Sequence, residues 1–256
     1  METKLIEFLN RKVQQFDQPE FIDSDPISVP HRFSGKQDRE IAGFFAAIFS
    51  WGNRKTIINK SNELMRLMDD SPYDFCVHHS AKDRKNLLHF KHRTFNSTDL
   101  LYFLDFFQHH YTIHHSLESA FASGITKQDS SIENGLKAFY NYFFSLEHVP
   151  SRTFKHISTP ARKSTCKRLN MYLRWMVRKD KQRVDFGIWN KILPSQLIIP
   201  VDVHVARVSR SLGLISRKQT DWLTALELTE TLKQLDPADP VKYDFALFAL
   251  GANERF

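Results

Sequence analysis

Apolar side chains recur about every 3.6 residues along almost the whole chain, and no stretch alternates apolar with polar residues over the length of a strand. That periodicity marks helices that each bury one face, and it predicts an all-α fold. In residues 1–16, Leu5, Phe8, Leu9, Val13 and Phe16 share one face. Residues 41–51 are apolar nearly all round, so that helix belongs in a core, and Asp38 reads as its N-cap. Further helices are expected over 55–69, 82–88, 97–110, 115–123, 130–145, 165–178, 203–212, 220–235 and 241–250. Pro19, Pro26 and Pro30 make 17–36 a loop or arm. Pro150 and Pro160 break the polar stretch 146–166, and 179–200 reads as a connector. Only 8 glycines occur in 256 residues, too few for sandwich or doubly wound folds with many tight turns. No Gly-rich phosphate loop is present. The 22 phenylalanines concentrate between residues 16 and 154, which predicts a densely packed aromatic core there.

The net charge of +7 and pI near 9.3 point to an anionic partner, with nucleic acid or a membrane surface as the usual choices. No run of apolar residues is long enough to span a bilayer. The amphipathic start METKLIEFLNRKVQQF has no signal-peptide core. The expectation is therefore a cytoplasmic protein with no membrane partner. Two cysteines, Cys76 and Cys166, cannot build a four-cysteine zinc or iron–sulfur site, so no metal and no cofactor is expected. His110 and His114 stand four apart within a His-rich stretch, a spacing compatible with zinc, but the sequence suggests no third ligand.

The basic character belongs to one segment. Ten Lys or Arg lie between residues 155 and 183 against a single acid, Asp180, so the rest of the chain is net negative. On a helical wheel Lys167, Arg174 and Arg178 form a column opposite Leu169, Tyr172, Leu173, Met176 and Val177. A column of fixed cations suits a phosphate backbone. The simpler reading is the solvated face of a surface helix.

Asp202 precedes the periodic run Val205, Val208, Leu212, and Gly213 sits where a helix C-terminal glycine belongs. Asp202 is thus an N-cap candidate, which is a sufficient structural role. The same position favours an ionised, fixed carboxylate. Such a group stabilises the oxocarbenium-like transition state of N-glycosidic bond cleavage and takes a proton from an attacking amine or water. Lys167, at the start of the basic helix, is the natural amine. It would form a Schiff base with the sugar and permit β-elimination.

Cys166-Lys167-Arg-Leu-Asn170 followed by Pro200-Val-Asp202-Val-His204-Val-Ala-Arg207-Val resembles the helix-hairpin-helix superfamily of DNA glycosylases, in particular its archaeal 8-oxoguanine branch and a related bacterial family. Residues 48–60 resemble that superfamily's early helix–loop–helix, and 239–251 its last helix. The resemblance implies a two-lobed helical fold with the active site in the cleft between lobes. One lobe would span 38–178; the other would join 1–37 to 179–256. Lys167 and Asp202 would be catalytic. Arg162, Lys163, Ser164, Arg168, Arg174 and Arg178 would bind DNA. Trp51, Gly52, Asn53 and His204 would line the base pocket, while Trp222 is a core residue or a weaker stacking candidate. The implied activity is that of a monomeric DNA glycosylase with AP-lyase activity, excising a damaged purine such as 8-oxoguanine from double-stranded DNA. The alternative is a non-catalytic protein binding DNA or structured RNA. The superfamily's Gly-x-Gly hairpin is absent, because residues 136–186 hold no glycine, so Ser158–Thr165 must form a remodelled hairpin.

Overall fold

A computed structural model describes residues 3–252 of the chain. It is predominantly helical, as the periodicity predicts. The longer helices are Thr3–Phe16, Lys36–Phe49, Arg54–Leu67, Ser97–Ile113, Glu133–Phe143, Lys167–Val177, Val203–Ser211, Trp222–Lys233 and Asp244–Ala252. The only strands among the described residues, Lys91–His92 and Phe95–Asn96, pair antiparallel with Lys91 opposite Asn96. Two residues per strand are too few to show an alternating pattern. A helix at Pro72–His78 was not expected; proline occupies its first turn, where the missing N–H has no helical partner to lose. The proline-rich arm holds two one-turn helices, Glu20–Asp23 and Ser28–His31. Asp38 is not an N-cap. Its helix begins two residues earlier, after Gly35, and the Asp38 carboxylate instead accepts the Tyr73 N–H at 3.0 Å. The C-terminal four residues lie outside the described part.

The chain forms two compact units, Met1–Asp23 with Ile125–Lys137 and Thr159–Phe256, and Ser24–Gly124 with Ala138–Ser158. The expected boundary at 178 coincides with neither. The second unit is built around phenylalanine. Phe44, Phe45, Phe49, Phe103, Phe106, Phe107, Phe121, Phe139 and Phe143 are all fully buried. Most of their contacts are tilted or edge-to-face, such as Phe103 on Phe143 at 4.9 Å, the geometry that ring quadrupoles favour. Glu40 is a buried acid of this unit, and it accepts hydrogen bonds from Tyr111 Oη at 2.9 Å, Ser116 Oγ at 2.5 Å and the Leu117 N–H at 3.0 Å. These bonds tie the helix Lys36–Phe49 to the turn after Ile113.

The first unit is organised round the helix Lys167–Val177. Leu169, Tyr172, Leu173, Trp175 and Met176 have no exposed surface. The connector 179–200 folds back along this helix, with the Phe186 N–H on the Trp175 carbonyl and the Trp189 N–H on the Met176 carbonyl. Trp189 then packs edge-on against Tyr172 at 5.4 Å. The sequence expectation puts Lys167 and Asp202 in different lobes; both fall in this first unit.

Candidate active site

Lys167 is the first residue of its helix, and a glycine-free turn delivers it there. Thr159 Oγ1 caps the short 3-10 turn Pro160–Arg162, and Lys163 ends that turn in the left-handed region at φ 59°. Cys166 precedes Lys167 in the same region at φ 52°. Non-glycine residues pay a steric cost there, so the surroundings must hold them. The Lys163 carbonyl accepts the Trp222 N–H at 3.1 Å, Ser164 Oγ accepts the Cys166 N–H at 3.1 Å, and Asn170 Nδ2 donates to the Thr165 carbonyl at 2.9 Å. These bonds substitute for the flexibility that glycine would have supplied.

Asp202 caps the helix Val203–Ser211. Its Oδ1 accepts the backbone N–H groups of His204 at 2.9 Å and Val205 at 3.0 Å. Gly213 closes the other end at φ 69°, the conformation that selects glycine there. The cap orients the carboxylate and leaves Oδ2 directed at Lys167, whose Nζ stands 3.8 Å away. Each side chain is one quarter exposed. The pair is therefore reachable from solvent, close enough to interact electrostatically, and too long for a direct hydrogen bond. The helix bearing Asp202 is set in place by Gly251, where a Cβ would stand 3.1 Å from His204 Cβ, and by Arg207 Nη2, which donates to the Gly251 carbonyl at 3.2 Å. His204 itself is exposed.

The other sequence-predicted residues divide. Arg162 and Lys163 are exposed and Ser164 and Arg168 half-buried, all within the turn and first helical residues around Lys167. Arg174 and Arg178 cannot bind phosphate, because the column read from the helical wheel faces the interior. They are 3% and 5% exposed. Arg174 pairs with Asp185 at 3.3 Å and with Asp244. Arg178 engages Asp17 at 2.8 Å, Asp239 at 2.8 Å, Asp185 at 3.1 Å and Asp180 at 3.3 Å. Burial works against the Arg178 charge, but the carboxylates of Asp185, Asp239 and Asp17 outweigh it and raise its pKa. Burial pushes Asp185 up to about 6 despite both arginines. Sequence reasoning missed these five aspartates. The available signal was the setting of the arginines: cations on a helix that is otherwise apolar need buried counter-charges.

Trp51, Gly52 and Asn53 belong to the second unit. Asn53 caps the helix Arg54–Leu67 through the Thr56 N–H at 3.2 Å. Trp222 is buried in the first unit, with Nε1 donating to Glu133 at 2.8 Å. His110 is fully buried, its ring nitrogens occupied by Tyr142 Oη and the Ser116 carbonyl, each at 3.1 Å. Burial brings its pKa down to about 4. Among the described residues, no group of three or more His, Cys, Asp or Glu could hold a metal ion. Both cysteines are buried free thiols. No described helix is long and apolar enough to cross a membrane.

Residues 25–253 match the model of a family described as "Protein of unknown function (DUF2400)". The chain belongs to that family. The expected membership of the helix-hairpin-helix glycosylases is thereby corrected: it rested on short motifs, whereas the DUF2400 match runs through nearly the whole chain, and DUF2400 is not a known glycosylase family. The motifs were short caps and helix starts, which recur wherever an Asp begins an apolar helix. No curated protein and no solved structure matches the chain.

Proposed function

We propose that this DUF2400 protein cleaves N-glycosidic bonds in DNA, with Lys167 as nucleophile and Asp202 as proton acceptor and electrostatic partner. The observation that carries the reading is the solvent-accessible Lys167–Asp202 pair, 3.8 Å apart, with each residue at a helix start and the Asp202 carboxylate held by its cap. Exposed Arg162 and Lys163 lie next to it in the chain and supply positive charge for a phosphate backbone.

In the proposed sequence Asp202 takes a proton from the Lys167 ammonium. The amine attacks the sugar C1′, and the base departs with the glycosidic electron pair and gains a proton. Ring opening gives the imine, loss of the C2′ proton expels the 3′ phosphate, and water releases the lysine. The departing base takes that proton from Asp202, and the carboxylate, ionised again, stabilises the cationic imine. A base must leave the duplex stack to expose C1′, so an altered or unpaired base is the expected substrate.

A second reading, a DNA binder without chemistry, draws on the structural role of Asp202 as a cap. The test is Asp202→Asn assayed on a panel of duplexes, each with one altered base or an abasic site. Asn caps about as well as Asp, so the fold should persist. Turnover should fall by about a hundredfold or more, the range for a lost general base, with duplex affinity retained. Undiminished cleavage by Asp202→Asn would sink the mechanism. Tight binding with no cleavage of any duplex by the wild-type protein would favour the binder.

A further inference from the structure

The second unit carries an exposed cationic surface. It is made by two acid-free segments, 41–62 and 84–98. They are joined where His92, at the start of the hairpin, meets the Phe49 carbonyl through Nε2 at 3.1 Å, and where Phe95 packs on Phe49 at 5.1 Å. Both anchors are buried, so the turns beyond them hold a fixed separation. The chain reverses sharply after Phe49, whose carbonyl also accepts the Trp51 N–H at 2.7 Å. The hairpin turn places Arg93 at φ 55°. Its guanidinium carbon lies 4.5 Å from the Trp51 ring centroid. Gly52 has φ 112°, and a Cβ there would run into Arg93 Nη1, so this glycine is what lets the two side chains stack.

Arg93 is exposed, and no carboxylate pairs with it among the described residues. Two other arginines of the unit do carry carboxylate partners: Arg84 is paired with Asp105, and Arg152 with Asp99. Lys55 and Lys91, one on each segment, are exposed as well. Trp51 also stands apart, since Trp175, Trp189 and Trp222 are 0%, 2% and 4% exposed while Trp51 is only partly covered. A half-open indole carrying a planar, uncompensated cation has the chemistry that stacks a nucleobase and holds its phosphate.

We infer that Trp51 and Arg93 form a binding platform for single-stranded nucleic acid, with Lys55 and Lys91 neutralising flanking phosphates. The platform does not require Lys167 chemistry, and the two ideas fail separately. The experiment titrates the full chain with an oligothymidylate of about twelve nucleotides, a length within the usual site size, and with a strand of equal charge built from tetrahydrofuran abasic analogues, which cannot form an imine with Lys167. Tryptophan emission should be quenched by the base-bearing strand and not by the abasic one. Trp51→Phe should abolish the quench. Arg93→Lys, which keeps the charge but loses the plane, should weaken binding about tenfold, as expected for the loss of one stacking partner. Lys167→Ala should leave the titration unchanged. Quenching by oligouridylate as well would extend the platform to RNA; quenching by oligothymidylate alone would assign it to DNA. Equal binding of base-bearing and abasic strands, wild-type affinity in Arg93→Lys, or loss of the quench in Lys167→Ala would each overturn the proposal.

Discussion

Replacing Arg178 with Met separates the two roles this residue has been given, phosphate contact and internal counter-charge. The substitution keeps most of the side-chain volume and removes a guanidinium that holds four carboxylates within 3.3 Å. Asp17, Asp180 and Asp185 have almost no access to water, so they cannot be solvated in place of the lost partner. Breaking a buried ion pair from one side costs about 3–5 kcal/mol. Arg174 still faces Asp185, and Asp239 is one quarter exposed, so the low end, about 3 kcal/mol, is expected. Urea unfolding at pH 7 reads this directly, and a loss under about 1 kcal/mol, the scale of a surface pair, would refute the reasoning.

The pH dependence gives an independent check on the same variant. Burial already raises Asp185 to about 6 in the intact cluster. Between its unfolded value near 4 and that pKa, the native chain binds more protons than the unfolded one, so this group favours the fold as pH falls. Loss of Arg178 raises the orphaned carboxyls further. The deficit of Arg178→Met should therefore shrink between pH 7 and pH 5. A deficit that grows on acidification would contradict the account. Duplex affinity of the folded variant should be unchanged, whereas a phosphate contact would show as weaker binding and a shallower salt dependence.

Asp202→Ala should lower stability by about 1 kcal/mol through the lost cap, while Asp202→Asn should not; thermal melts of the two variants compare them. Asp99 is buried, and although burial raises its pKa, hydrogen bonds from His156, the Asn96 N–H and Thr153 outweigh this and hold it below the usual carboxylate range. Its contribution is full above about pH 4 and is lost as pH falls through the lower folded value. Asp99→Asn should thus be destabilised at neutral pH and converge on wild type in acid denaturation curves once the pH has fallen below that folded value. Gly251→Ala brings a methyl within 3.1–3.3 Å of the His204 Cβ and backbone; it should cost about 1–3 kcal/mol by overpacking and reduce any cleavage by displacing the Asp202 helix, both measurable on the purified variant.

The helices were legible because each carries its own periodic pattern. Lys167–Val177 and Val203–Ser211 were expected within about two residues of where they lie. The cap of Asp202 and the terminal Gly213 were legible for the same reason: caps are local chemistry. The direction of each helix face was not. Lys167, Arg174 and Arg178 do share a column, but a wheel cannot tell solvent from a buried acid ring supplied by residues up to 161 positions away, as Asp17 is from Arg178. The Trp51–Arg93 stack was hidden likewise, since its partners sit on a turn and on a hairpin with strands too short to leave a signal. The motif resemblance misled because Val-Asp-Val-His describes a helix start, and helix starts recur across unrelated families.

The central claim is that Lys167 is a nucleophile facing a sugar carbon beside Asp202, and covalent capture tests it most directly. The full chain is incubated with abasic-site duplex in the presence of borohydride, and the adduct is digested and mapped by mass spectrometry. The account predicts a reduced imine on Lys167, absent in Lys167→Ala and much slower to form in Asp202→Asn. No adduct at all, or one that persists in Lys167→Ala, would contradict it.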